Sequence, residues 1–186
     1  DAALAMLDLA VERSPEPWRS EAAVELAKRM VESREYERAE KAARRAETGA
    51  AKGSDLATRA RRVLVEALYW QKRDREVLQA MAGLDRDAET DLFRAVSSWR
   101  LGVDGATGLF VDLFLRENAS AVHSRAYTFL ASDPAWLGRF TRPQQDLMAA
   151  KFSLVQGEWA AGVAKMEAVL DALEPNEIAE SALVFD

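Results

Sequence analysis

Apolar residues recur along this chain at intervals of three and four, the spacing that puts side chains on one face of a helix. No sustained alternation of β-branched residues is present. The clearest stretch runs from Thr141 to Pro175. Leu147, Ala150 and Leu154 line one face of a first helix, and Gly157-Glu158 interrupts it with turn chemistry. A second helix resumes with Trp159, Gly162, Val163, Met166, Val169, Leu170 and Leu173, and Pro175 stops it. Gly162 has no side chain, so the two helices can cross there with their backbones close.

The same organisation is legible upstream. Leu4, Leu7 and Val11 mark a helix over 1–13, which Ser14-Pro15-Glu16-Pro17 ends. From Trp18 to Gly49 a first helix presents Ala23, Leu26, Ala27 and Met30, and a second presents Ala39, Ala43 and Ala46, with Gly49 as its C-cap. Ser54 or Asp55 caps a helix carrying Leu64, Val65 and Leu68. After Lys72-Arg73-Asp74 another helix holds Val77, Met81 and Leu84. Leu92, Phe93, Val96 and Trp99 form a further stripe. Leu109, Phe110, Leu113, Phe114 and Leu115 mark a helix covered on most sides, and Val122, Ala126, Phe129 and Leu130 another. Asp133-Pro134 opens a short helix ending near Phe140. Asn176 to Asp186 reads as the opening of one more unit, so both ends are expected to be cut from a longer array.

Counting exposes a repeat. Ala27 and Ala39, Val65 and Val77, and Ala150 and Gly162 are each 12 residues apart. Inward residues then follow at plus four and plus seven: Ala43 and Ala46, Met81 and Leu84, Met166 and Val169. Small residues twelve apart, flanking a turn such as Gly157-Glu158-Trp159 or Arg34-Glu35-Tyr36, resemble the tetratricopeptide repeat (TPR) family. Ala27 to Val65 is 38 residues and Val65 to Ala150 is 85, so the period is nearer 40 than the family's 34. The texture of degenerate helix pairs also resembles the superhelical, non-catalytic part of bacterial soluble lytic transglycosylases. The TPR resemblance implies an all-α, right-handed superhelix of antiparallel pairs over 1–186, with about ten helices stabilised by stacking of neighbouring units. It further implies a concave face built from the first helices that holds a peptide or a partner's helix. By position that face comprises Val24, Lys28 and Val31, then Arg62, Glu66 and Tyr69, then Leu147, Lys151 and Leu154. Lys28, Arg62 and Lys151 would together favour a carboxylate.

Composition narrows the function classes. The chain has 186 residues, net charge −6 and no cysteine, so disulfides, thiol nucleophiles and cysteine metal sites are excluded. An acidic pI near 5.0 argues against general nucleic-acid binding. Charge is uneven, however: Arg19 to Glu76 carries 15 Lys/Arg against 11 Asp/Glu, and the remainder is strongly acidic. No apolar run approaches the roughly 20 residues needed to span a bilayer, and no signal peptide is visible. Neither periplasm nor cytoplasm is favoured.

Candidate chemistry is sparse. His123, the only histidine, has no ligand or triad partner at a telling spacing and is expected to be interior or capping. Asp85, Asp87, Glu89 and Asp91 lack the EF-hand pattern and suit a helix N-terminus. Tyr69-Trp70-Gln71-Lys72-Arg73 mixes rings and cations, with one ring expected to be buried and one at the rim. Glycines 102, 105 and 108 follow no strand, and Glu158 has no second carboxylate nearby. No cofactor, metal or catalytic constellation is therefore expected. The sequence points to a non-catalytic protein–protein interaction scaffold. The alternative is a superhelical structural domain of a larger bacterial cell-wall enzyme.

Overall fold

The computed structural model describes residues 2–116 and 120–172, all in helices and their connections, with no strand among them. The expected stop at Pro175 and the unit opening at Asn176 lie outside the described residues. The chain forms two compact units, 1–86 and 87–186. Unit 1 holds α1 (Ala2–Arg13), α2 (Trp18–Glu32), α3 (Tyr36–Gly49), α4 (Asp55–Trp70) and α5 (Asp74–Ala80). Unit 2 holds α6 (Ala88–Arg100), α7 (Ala106–Arg116), α8 (Ala121–Ala131), the four-residue α9 (Pro134–Leu137), α10 (Arg142–Val155) and α11 (Trp159–Ala172).

In unit 1 each helix packs on its neighbour in sequence, and α2 also meets α4. The α2–α3 seam is made mostly of alanine: Ala23, Ala27, Ala39, Ala43 and Ala46 are fully buried. Ser54 caps α4 by accepting from the Ala57 amide at 3.2 Å. Gly49 lies inside α3 rather than capping it, and a Cβ there would lie 2.3 Å from Ser20 Oγ. The helix expected through Leu84 ends at Ala80; Met81 stays buried while the chain turns through a positive φ at Gly83.

Unit 2 is built on rings. Trp99 stacks on Phe140 with centroids 5.7 Å apart and meets Phe110 edge-on at 5.6 Å, while Phe110 stacks on Phe129 at 6.0 Å. Asp87 caps α6 and exchanges hydrogen bonds with Thr90, so one member of the acidic cluster serves a helix start as expected. The α10–α11 crossing is close: a Cβ on Gly162 would lie 2.6 Å from Leu154 Cδ2.

One turn recurs. After α2, α4, α6 and α10 a residue with positive φ (Arg34, Lys72, Gly102, Gly157) donates to the carbonyl three residues back. The following amide donates to the carbonyl five back, as in Glu35 to Met30 at 2.8 Å and Glu158 to Ser153 at 2.9 Å. This double bond satisfies helix-end carbonyls that would otherwise lack donors. Seven residues before each turn residue stands a fully buried small one: Ala27, Val65, Ala95 and Ala150. The α6–α7 pair thus joins the three pairs that spacing identified. Its twelve-residue partner is lost because α7 starts at Ala106, two residues later in register than the other second helices.

Candidate partner-binding clefts

Among the described residues three side chains carry clearly perturbed ionisation: Glu40, Arg73 (raised, chiefly by its hydrogen bonds to Glu76) and His123. All three are used to hold helices or their turns together. Glu40 on α3 accepts from Arg44 Nε at 2.9 Å, from Gln71 Nε2 at 3.2 Å and from Arg73 Nη1. Arg73 also forks onto Glu76 at 2.7 and 2.6 Å. Burial alone would raise the Glu40 carboxyl. The hydrogen bonds from Arg44 and Gln71 and the charges of Arg73 and Arg44 outweigh it and hold the group below its usual range. Gln71 Nε2 additionally donates to the Tyr36 carbonyl at 3.2 Å, so the network ties the start of α3 to the α4–α5 turn.

His123 is fully buried at the third position of α8. Its Nδ1 accepts from the Ser120 amide at 3.2 Å, and its Nε2 donates to the Leu113 carbonyl at 3.2 Å, which fixes the neutral tautomer. Desolvation, with the nearby Lys151 charge adding to it and the Leu113 bond opposing it, lowers its pKa to about 4. The expectation of an interior, capping histidine holds. Of the ring pair, one member was expected to be buried, but Tyr69 is only half-buried; Trp70 is 43% exposed, at the rim as expected, and stacks on Tyr36 at 6.0 Å.

Of the residues expected to form a first-helix wall, only Lys28 is exposed. Val31, Arg62, Glu66 and Tyr69 are half-buried, and Val24 is buried at 1%. In unit 2, Leu147 and Lys151 are buried and Leu154 packs against Gly162, so these three belong to the packing of α10. Lys151 therefore does not stand on an open wall as the expected carboxylate receiver would.

Sequence reasoning missed the concavities of unit 1, which lie on the side of the second helices. One cleft of about 230 Å³ runs between α1 and α3 over a floor of Val11, Leu26 and Met30. Another of about 420 Å³ runs between α3 and α5 over Leu64 and Leu68. The two correspond in floor and in one wall, though not in the chemistry of that wall. Leu26 and Met30 recur 38 residues on as Leu64 and Leu68, and the wall residues Arg38, Lys41 and Ala42 recur as Glu76, Gln79 and Ala80. That offset is the 38-residue step from Arg34 to Lys72, so it was present in the sequence as a period. What spacing could not show is the gap between helices that are not consecutive. Among the described residues no three His, Asp or Glu side chains gather as a metal site requires, and no helix is long and apolar enough to cross a membrane.

The chain matches no protein-family model, and neither characterised proteins nor solved structures include a significant match to it. The described residues form an all-helical fold of closely packed consecutive helices, compatible with a helical repeat.

Proposed function

We propose that this chain is a non-catalytic protein–protein interaction scaffold of TPR-like helix pairs, which binds a peptide or a partner's helix. The observation that carries this reading is the recurrence of a cleft, in floor and in one wall, at a 38-residue offset in unit 1. A surface that repeats at fixed intervals suits a linear partner, because each step meets a pocket at corresponding positions. The fate of the perturbed groups agrees with it. Strongly shifted ionisable residues often mark catalytic sites, but Glu40 is spent on cross-helix bonds and His123 is enclosed.

Selection from a displayed peptide library tests the reading. The expected outcome is saturable binding to the folded chain that excess free peptide displaces. A library that yields no saturable binder would sink it. Two single substitutions then locate the surface: Lys28→Glu weakens a peptide lying along the first helices, and Lys41→Glu weakens one lying along the clefts.

A further inference from the structure

We infer that the crest of α3, with a cleft on either side, docks an acidic segment of a partner protein, its apolar side chains entering the clefts. This rests on the scaffold reading and adds the chemistry of the occupant. The exposed ionisable residues of α3 are Arg38, Lys41, Arg44 and Arg45 against Glu37 alone. The helix owes this imbalance to its own packing. Glu40 and Glu47 turn toward α4 and its turn, where they hold Arg73 and Gln71, and Arg61, respectively. The acids are drawn inward and the bases are left outward, on the most basic segment of an otherwise acidic chain.

Arg44 is committed to Glu40 at 2.9 Å and to Glu76 at 3.4 Å, so the cations offered to a ligand are Arg38, Lys41 and Arg45. Arg38 pairs with Asp8 at 3.4 Å and with Glu35 at 2.5 Å, and these side chains are roughly half or one-third exposed. Such exposed pairs contribute about 0–1 kcal/mol and yield readily to a ligand carboxylate. Arg45 donates to the Val11 carbonyl at 3.3 Å, which leaves its charge without a counter-ion in that contact. The acidic outer walls, Asp8 and Glu12 on α1 in the first cleft and Glu76 on α5 in the second, confine a ligand's carboxylates to the α3 crest and so fix its orientation.

Geometry adds a spacing. The clefts flank one helix, whose diameter with side chains is about 10–12 Å. An extended chain advances about 3.3 Å per residue. Apolar anchors three to four residues apart, with acidic residues between them, therefore match both clefts and the crest.

The test uses the full chain and a fluorescent peptide of repeated Leu-Glu-Glu-Glu, followed by anisotropy at low and high salt. Saturable binding is expected, weakened by added salt and about tenfold by Arg38→Glu with Lys41→Glu. Lys41→Gln alone, at an exposed position, is expected to weaken binding about two- to threefold and guards against misfolding of the double variant. Ala80→Leu, which fills the second cleft, weakens binding without changing its salt dependence. Undiminished affinity in the charge variants overturns the inference. Equal binding of oligothymidylate or of the Leu-Lys-Lys-Lys peptide also overturns it, since the surface would then lack selectivity for acidic protein. If library peptides bind and the Leu-Glu peptide does not, the acidic occupant is wrong and the scaffold stands; if neither binds, both fall.

Discussion

Unit 1 and unit 2 solve the same packing problem with opposite materials. The α2–α3 seam of unit 1 is mostly alanine, and the centre of unit 2 is Trp99, Phe110 and Phe140, with the half-buried Phe129 stacked on Phe110. A buried alanine removes one methyl group from water, whereas an aromatic ring buries about 150–250 Å². Small side chains let helices approach closely and repeat without adjustment, so unit 1 keeps its period and its corresponding clefts. They also leave little apolar area per contact, and there the charged network from Glu40 to Arg73 and Glu76 links one pair to the next. Rings supply area but no regular step, and in unit 2 the helix-pair pattern is interrupted by α8 and α9. Regularity and core size trade against one another here.

The largest effects should separate the two designs. Phe110→Ala removes a fully buried ring touching Trp99, Phe129 and Phe140, and should cost about 3–5 kcal/mol in urea unfolding. In the alanine seam the damage runs the other way. Ala39→Leu inserts volume where none is free and should cost about 1–3 kcal/mol. Equal tolerance of Ala39→Leu and a surface substitution would break the comparison. Gly162→Ala is the sharper probe of close approach in unit 2. Its new Cβ would meet Leu154 Cγ at 2.7 Å and the Leu154 amide nitrogen at 3.2 Å, so a loss of about 1–2 kcal/mol is expected. Gly108→Ala meets nothing within 4 Å and should be neutral or stabilising by up to about 1 kcal/mol through helix propensity.

Acid should distinguish the units by pH window. His123 has a folded pKa of about 4, below its ordinary 6.5, so the folded state binds fewer protons than the unfolded one between those values. Its contribution is complete above pH 6.5 and is lost as pH falls from there toward 4. After discounting for screening this amounts to about 1–2 kcal/mol. Glu40 is also lowered, and its contribution fades only once pH drops below the ordinary carboxylate value of 4.5. Urea midpoints measured against pH should therefore show His123→Gln flattening the upper window and Glu40→Gln the lower. Glutamine at position 123 retains an acceptor for the Ser120 amide, so the substitution removes the titration and spares the cap. At neutral pH Glu40→Gln should cost about 1–2 kcal/mol, because Arg73 and Arg44 lose a charged acceptor.

Much of the fold was legible because helix packing writes a local signature. Ala27, Val65 and Ala150 stand seven residues before a turn residue and twelve before a second buried position, and all three pairs are buried as expected. Gly102 ends the same kind of helix but escaped notice, since Val103-Asp104-Gly105 delays α7 and shifts the second half of the signature. The surface was less legible. Val24 and Lys28 are four residues apart on α2, yet one is buried and one exposed, and only the neighbouring helices decide which. Lys151 reads as a solvated cation by residue type and is 5% exposed. The clefts depend on the gaps between α1 and α3 and between α3 and α5, and spacing within one helix carries no record of such gaps.

The smallest expected effect bears most directly on whether the four turns are one motif. Gly102 and Gly157 take positive φ without cost, but Arg34 (63°) and Lys72 (60°) hold a conformation that crowds an L side chain by about 1–2 kcal/mol. Lys72 is exposed, so replacing it removes few packing contacts. Lys72→Gly relieves the crowding and loosens the unfolded chain, and the balance should be a gain of about 0.5–1 kcal/mol. Gly157→Ala at the equivalent place should lose about 1 kcal/mol for the converse reason. Opposite signs at equivalent positions follow only if both residues occupy the same hydrogen-bonded turn in solution. A loss on Lys72→Gly would mean that the lysine side chain contributes more than its conformation costs, and the α4–α5 turn would then stand apart from the other three.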